Sequence, residues 1–356
     1  MPGAVRQRAL FLIALGALCA ACGSANDPEP GPFAPSRVLP TGIGARALAA
    51  LDGPASEVAL LFQLDNRVGL IDAADGDLNP VAGEVGVSPL AIAALDTDAD
   101  GTMELATANA GDSTLSLLGR SEAGLALLAS ASPSLRPKHV SGADLDGDGR
   151  AEVVATVGFD SEPGAGIEVW RRGDAGLELA GPRWPIEGAF AAVTGDVDGD
   201  GDLDVIAVIP SASEIAWAAN DGRGRLTEAG RIEVCEAPRA AAMAGDRIAV
   251  ACQGGLGLVR GEAVETIPID GNLYDVVAGD FDADGSPDVA AVDMTNDAVL
   301  VFLAGSGRAS PIEVPVGLDP VALVASDLGG DGDVDLIVSA FATRTVDVLE
   351  NDLANH

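Results

Sequence analysis

The chain has 356 residues, of which 48% are apolar but only 3% aromatic, and it carries 45 glycines and 21 prolines. That make-up suits many short strands and turns and disfavours long helices. With 55 acidic against 20 basic residues the formal charge is −35, which excludes a nucleic-acid partner, because phosphate binding needs clustered Lys and Arg.

The first residues read as a targeting segment. Arg6 and Arg8 precede an apolar run from Ala9 to Ala21, too short to cross a bilayer as a helix and followed by small residues as at an export cleavage site. The run ends Leu18-Cys19-Ala20-Ala21-Cys22-Gly23-Ser24, which resembles a bacterial lipobox. The resemblance implies a signal peptide over residues 1–21, lipidation of Cys22, and a chain anchored by lipid at the cell envelope, on one face or the other of the outer membrane. It departs from the motif in having Cys19 where Leu or a similar residue is usual; an ordinary secretory signal is the alternative. Residues 22–35 are rich in proline and small polar residues and read as an extended tether, leaving 36–356 as the folded part.

A short phrase then recurs five times: Asp96 to Leu105, Asp144 to Val153, Asp196 to Val205, Asp280 to Val289 and Asp327 to Leu336. Each has acids at positions 1, 3, 5 and 9 and glycine at 6, with a single gap, Gly329 at position 3 of the last copy. Alternate carboxylates around a tight glycine turn gather hard oxygens in a small volume, which suits Ca²⁺. The candidate ligands in the first three copies are Asp96, Asp98, Asp100, Thr102 and Glu104; Asp144, Asp146, Asp148, Arg150 and Glu152; and Asp196, Asp198, Asp200, Asp202 and Asp204. Those in the last two are Asp280, Asp282, Asp284, Ser286 and Asp288; and Asp327, Asp331, Asp333 and Asp335. Position 7 varies in side chain and is expected to contribute its backbone carbonyl. An EF-hand is excluded, since position 12 is Thr107, Ala155, Ala207, Ala291 or Val338 rather than Glu, and the flanks read as strands. Up to five structural calcium ions are expected, the last loop binding most weakly; plain Asx-turn connections are the competing reading.

Around each loop a larger unit repeats. A small-residue strand precedes it, an apolar strand follows, then an alternating strand such as Thr345 to Leu349 and a more variable fourth stretch. Two degenerate copies, Ala47 to Leu61 and Ala240 to Ala251, lack the acidic cage. Equivalent residues fall at Val58, Leu105, Val153, Val205, Ile248, Val289 and Leu336, spaced 41 to 52 residues apart. Seven such units predict an all-β, seven-bladed β-propeller with calcium-binding loops. The last unit lacks a fourth strand, while Ser36 to Gly42 resembles the fourth-strand stretch Pro311 to Gly317; the N-terminal strand is therefore expected to complete the last blade and protect its edge.

With the repeat established, the chain resembles the FG-GAP/VCBS repeat family, the calcium-loop propellers that include integrin α-subunit heads. The segments Gly195 to Ile209 and Asn220 to Leu226 carry the resemblance best, and it covers about residues 36–352. Cys235 and Cys252 read either as a disulfide, in keeping with export, or as two small buried thiols.

For catalysis the chain offers little. It has two histidines, His139 and His356, with no nucleophile triad or zinc spacing. Trp184, read as lying on a connecting loop, is the aromatic to test as a sugar platform, with simple packing beside Pro182 as the alternative; Trp170 and Trp217 read as core. The expected function is a non-catalytic, calcium-stabilised propeller, monomeric, touching the membrane only through its lipid and presenting a surface to a protein or glycan partner. A calcium-dependent polysaccharide lyase is the enzymatic alternative.

Overall fold

The computed structural model describes residues 33–51, 57–72, 78–121, 124–159, 162–305, 310–328, 330 and 332–351. The signal peptide, Cys22, Asp331 and His356 lie outside them.

Strand β1 (Phe33–Pro40) opens the chain. The first unit is β2 (Ala47–Leu51), β3 (Glu57–Phe62), β4 (Arg67–Asp72) and β5 (Leu78–Glu84); the second is β6 (Pro89–Leu95), β7 (Glu104–Asn109), β8 (Thr114–Ser121) and β9 (Gly124–Ala131). The third is β10 (Pro137–Ala143), β11 (Glu152–Val157), β12 (Gly166–Gly173) and β13 (Gly176–Leu179), with the short β14 (Trp184–Pro185) added to β12. The fourth is β15 (Ala191–Gly195), β16 (Asp204–Ile209), β17 (Glu214–Asn220) and β18 (Leu226–Glu233). Then come β19 (Ala240–Ala244), β20 (Arg247–Arg260), β21 (Ala263–Gly279), β22 (Asp288–Asp293), β23 (Ala298–Phe302) and β24 (Ile312–Pro315), in one sheet. The chain closes with β25 (Pro320–Ser326), β26 (Asp335–Ala340) and β27 (Thr345–Asn351).

The fold is an all-β propeller, but its hydrogen bonding corrects the expected count: the described residues form six sheets, not seven. The difference lies in β20 and β21. In a straight strand Val250 and Gly257 would stand roughly 23 Å apart, yet a Cβ on Gly257 would lie 3.6 Å from that of Val250. Strand β20 therefore doubles back at Gly254, where φ is +79°. Because Gln253 stays paired with Asn272 across this bend, two sequence units share one six-stranded sheet.

The first strands of the units form the inner ring. β2 packs on β6, and the sequence of neighbours continues through β10, β15, β19, β21 and β25 back to β2. Small residues permit this crowding: a Cβ on Gly142 would come within 2.7 Å of the Leu95 Cβ. The second strands β7, β11, β16, β22 and β26 are buried along their whole length, between neighbouring sheets, which explains their continuous apolar runs. Hydrophobic clusters accordingly bridge successive sheets, as where Val154 and Ile167 meet Val205 and Ala207.

β1 pairs antiparallel with β27, Leu39 opposite Val346, and so joins the N-terminal strand to the sheet of β25, β26 and β27. The tether expected over residues 22–35 ends earlier than its composition suggests. Phe33 already lies in β1, 3% exposed, with its ring edge-on to Phe281 at 5.9 Å.

Candidate metal-binding loops

Each acidic loop connects a first strand to the fully buried second strand, so the loops lie at one end of the inner ring. The turn is possible because position 6 takes a left-handed backbone: φ is +82° at Gly101, +88° at Gly149, +95° at Gly201, +86° at Gly285 and +94° at Gly332. Position 4 is left-handed as well, and is filled by Gly or by a small Ala (Ala99, Ala283).

The aspartate at position 1 organises the loop backbone. Asp96 accepts the N–H groups of Ala99 at 2.7 Å and Gly101 at 2.9 Å; Asp144 accepts those of Gly147 and Gly149 at 2.8 Å. Asp196, Asp280 and Asp327 repeat the bond to the position-6 glycine. Desolvation works to raise Asp96, but the N–H groups of Gly101, Asp98, Ala99 and Asp100 together hold it below the usual aspartate value.

The acid at position 9 opens the second strand and is buried in every copy: Glu104, Glu152, Asp204, Asp288 and Asp335. In each, one oxygen accepts the N–H of position 2 (Thr97, Leu145, Val197, Phe281, Leu328) at 2.9 Å. In the last three copies the other oxygen accepts the N–H found 16 residues on, from Asn220, Ala304 or Asn351. Desolvation, aided by the charges of Asp146, Asp144 and Asp148, pushes Glu152 up to about 7 against the pull of the Leu145 N–H. Desolvation raises Asp204 and Asp288 too, with neighbouring loop aspartates adding to it.

Positions 1, 3 and 9 converge. In the first four loops one oxygen from each lies within 4.8 Å of the others: Asp96, Asp98 and Glu104; Asp144, Asp146 and Glu152; Asp196, Asp198 and Asp204; Asp280, Asp282 and Asp288. These clusters can hold a metal ion, and three carboxylates with no softer donor fit a hard cation.

Other expected ligands stand apart from these clusters. Asp100, Asp148, Asp200 and Asp284 at position 5 instead accept the N–H of position 7, from Thr102, Arg150, Asp202 and Ser286 at 2.7 to 2.9 Å. In the fifth loop Asp331 lies outside the described residues, Asp333 is half-buried, and Asp327 and Asp335 keep the backbone bonds of the other copies.

Two features escaped sequence reasoning. The Arg172 guanidinium reaches from the end of β12 into the first loop, 2.8 Å from Asp98 and 3.4 Å from Glu104, so that cluster already holds a cationic side chain. Asn220 and Asn351 stitch one unit to the preceding one: Asn220 Nδ2 donates to Leu145 O at 2.7 Å and Leu203 O at 3.0 Å, and Asn351 Nδ2 to Phe281 O at 2.8 Å and Val334 O at 3.2 Å. Their shared offset of 16 residues from the position-9 acid was the available signal.

The remaining candidates are structural in setting. Trp184 lies in β14 rather than on a loop, 4% exposed within the core, with Nε1 donating to Glu228 at 3.2 Å, which is the packing alternative and not a sugar platform. Cys235 and Cys252 form a disulfide across 17 residues. His139 lies on inner strand β10, and its Nδ1 accepts the Ala192 N–H at 3.4 Å.

A family model of FG-GAP-like repeats matches residues 144–207 and 280–338, spans that hold four of the five acidic loops. No curated protein matches the chain. Among solved structures, virginiamycin B lyase from Staphylococcus aureus aligns with a TM-score of 0.62 at 10% identity, over 88% of this chain and 98% of that one. BBS1N, solved in complex with ARL6DN, aligns at 0.68 and 12%, over 90% and 97%. A protein from Lactobacillus plantarum aligns at 0.56 and 19%, over 78% and 86%. At such identities the likeness is one of fold.

Proposed function

We propose that this propeller of FG-GAP-like repeats is a calcium-stabilised, non-catalytic binding scaffold, held at the cell envelope by a lipid on Cys22. The observation that carries the reading is the convergence of three carboxylates in each of four loops, all at one end of the ring. Positions 1, 3 and 9 would hold the ion, with the position-7 carbonyl as a further oxygen. Calcium there neutralises a buried acid and ties a first strand to its second, so its role is to hold each unit in shape. A propeller fixed in this way offers its remaining loops to a partner, protein or glycan. The lipid anchor and the envelope location rest on the Leu18 to Ser24 segment.

Calcium titration by calorimetry tests the reading. Asp198→Ala and Asp282→Ala should each remove one site from the stoichiometry and leave the others. An unchanged stoichiometry in both variants would show that the loops are plain turns. Crosslinking in intact producing cells would then identify the partner.

A further inference from the structure

At the other end of the inner ring, away from the acidic loops, a cavity of about 190 Å³ opens among the starts of the first strands. The register fixes the geometry. In β10 the acidic loop follows Ala143, which pairs with Glu152, whereas Pro137 at the opposite end pairs with Val157. The residues facing the cavity, including Arg46, Lys138, Arg239 and Tyr274, occupy that second end.

The chemistry of this cavity runs against that of the whole molecule. In a chain of formal charge −35, it is lined, among the described residues, by three cations and a single carboxyl, Asp275. Lys138 is the chain's only lysine, and it is buried. The cations are held by aromatic rings and neutral oxygens. Arg46 donates to the Tyr274 hydroxyl at 2.8 Å and stands 5.6 Å from that ring's centroid; Arg239 lies 5.7 Å from Phe190 and 5.9 Å from Tyr274. Lys138 sits 5.3 Å from Phe159 and donates to Ala189 O. Neither Arg46 nor Arg239 makes an ion pair among the described residues, whereas six other arginines, from Arg37 to Arg260, do.

We propose that this cavity binds a small organic carboxylate, of the size of one sugar acid, with its carboxylate on Arg46 and Arg239 and its body against Tyr274, Phe190 and Phe159. Two guanidinium forks on one aromatic ring match the planar, two-oxygen geometry of a carboxylate. A positive lining in a low-dielectric recess concentrates anions even on an acidic protein. Asp275, whose oxygens accept the N–H groups of Leu323 at 3.0 Å and Val276 at 2.9 Å, adds a negative charge that disfavours a phosphate dianion relative to a monoanion. The volume is below the roughly 300–1,000 Å³ of drug-sized pockets, which limits the ligand to a single small unit. The proposal stands independently of the calcium loops.

Lys138 is its own reporter. Lysine labelled with ¹³C at Cε gives a single side-chain signal in the full chain, and that signal can be followed during titration with galacturonate, glucuronate, lactate and benzoate. Galactose, inorganic phosphate and sodium chloride at matched ionic strength serve as comparators. The expected result is a saturable shift with at least one carboxylate, none with galactose or chloride, and binding of phosphate at least about tenfold weaker. Arg46→Gln and Arg239→Gln should each weaken the carboxylate by about tenfold or more, while melting with and without calcium stays as in the parent. The proposal is overturned if no carboxylate moves the signal at tens of millimolar, if chloride or phosphate moves it equally, or if both variants, shown to be folded, bind like the parent. A failure here with calcium-dependent melting intact would leave the scaffold reading standing.

Discussion

Glu152 carries the tension of the metal site in one side chain: it is buried, hydrogen-bonded, surrounded by Asp144, Asp146 and Asp148, and pushed up to about 7. Its folded value lies above its unfolded one, so without metal the folded state binds the extra proton. Its contribution to stability is therefore present below about pH 4.5 and is lost as pH rises through about 7. Calcium binds the ionised form and reverses that slope. The stabilisation conferred by calcium should thus grow between pH 5 and pH 8, and Glu152→Gln should reduce that growth; paired melts in calcium and in chelator measure it. Arg172 offers a second test, since its guanidinium competes for Asp98 and Glu104. Arg172→Ala should strengthen calcium binding at the first loop, read as a higher affinity for one site by calorimetry. The disulfide gives a third. Reducing Cys235–Cys252, which closes a segment of 17 residues, should cost about 3 kcal/mol in denaturant unfolding. At this scale the acids at positions 1 and 9 were legible because their spacing is local. Arg172 was not, because its contact joins residues 74 apart.

The strand β1 shows where local pattern and tertiary pairing diverge. Its role as the closing strand was legible, because Ser36 to Gly42 repeats the pattern of Pro311 to Gly317. Its start was not: the proline-rich composition before it reads as tether, yet Phe33 pairs opposite Asn351 and packs on Phe281. Phe33→Ala should therefore destabilise the fold by about 3–5 kcal/mol in denaturant unfolding, the range for a buried phenylalanine. A cost under 1 kcal/mol would return Phe33 to the tether. In β20 the sequence shows a degenerate unit ending at Ala251, but not that the chain doubles back at Gly254 while remaining paired to β21. That pairing joins Gln253 to Asn272, 19 residues apart across the bend, a contact the repeat spacing does not encode.

At the scale of the whole molecule, the acidic loops and a cationic mouth stand at opposite ends of the inner ring. The five loops hold 21 of the 55 acids at one end of the inner ring, while the opposite mouth gathers Arg46, Lys138 and Arg239. The propeller class was legible from period and patterning, since each unit must bury its faces against a neighbour. The cationic mouth was not, because its residues come from units spread along the chain and meet only when the ring closes. Four converging carboxylate clusters on one end create a repulsion that a divalent cation relieves. Thermal unfolding of the full chain in millimolar calcium and in EDTA, at neutral pH, tests it most directly. A clearly lower melting temperature in EDTA, restored by added calcium, is expected. Superimposable melting curves in the two conditions would contradict it.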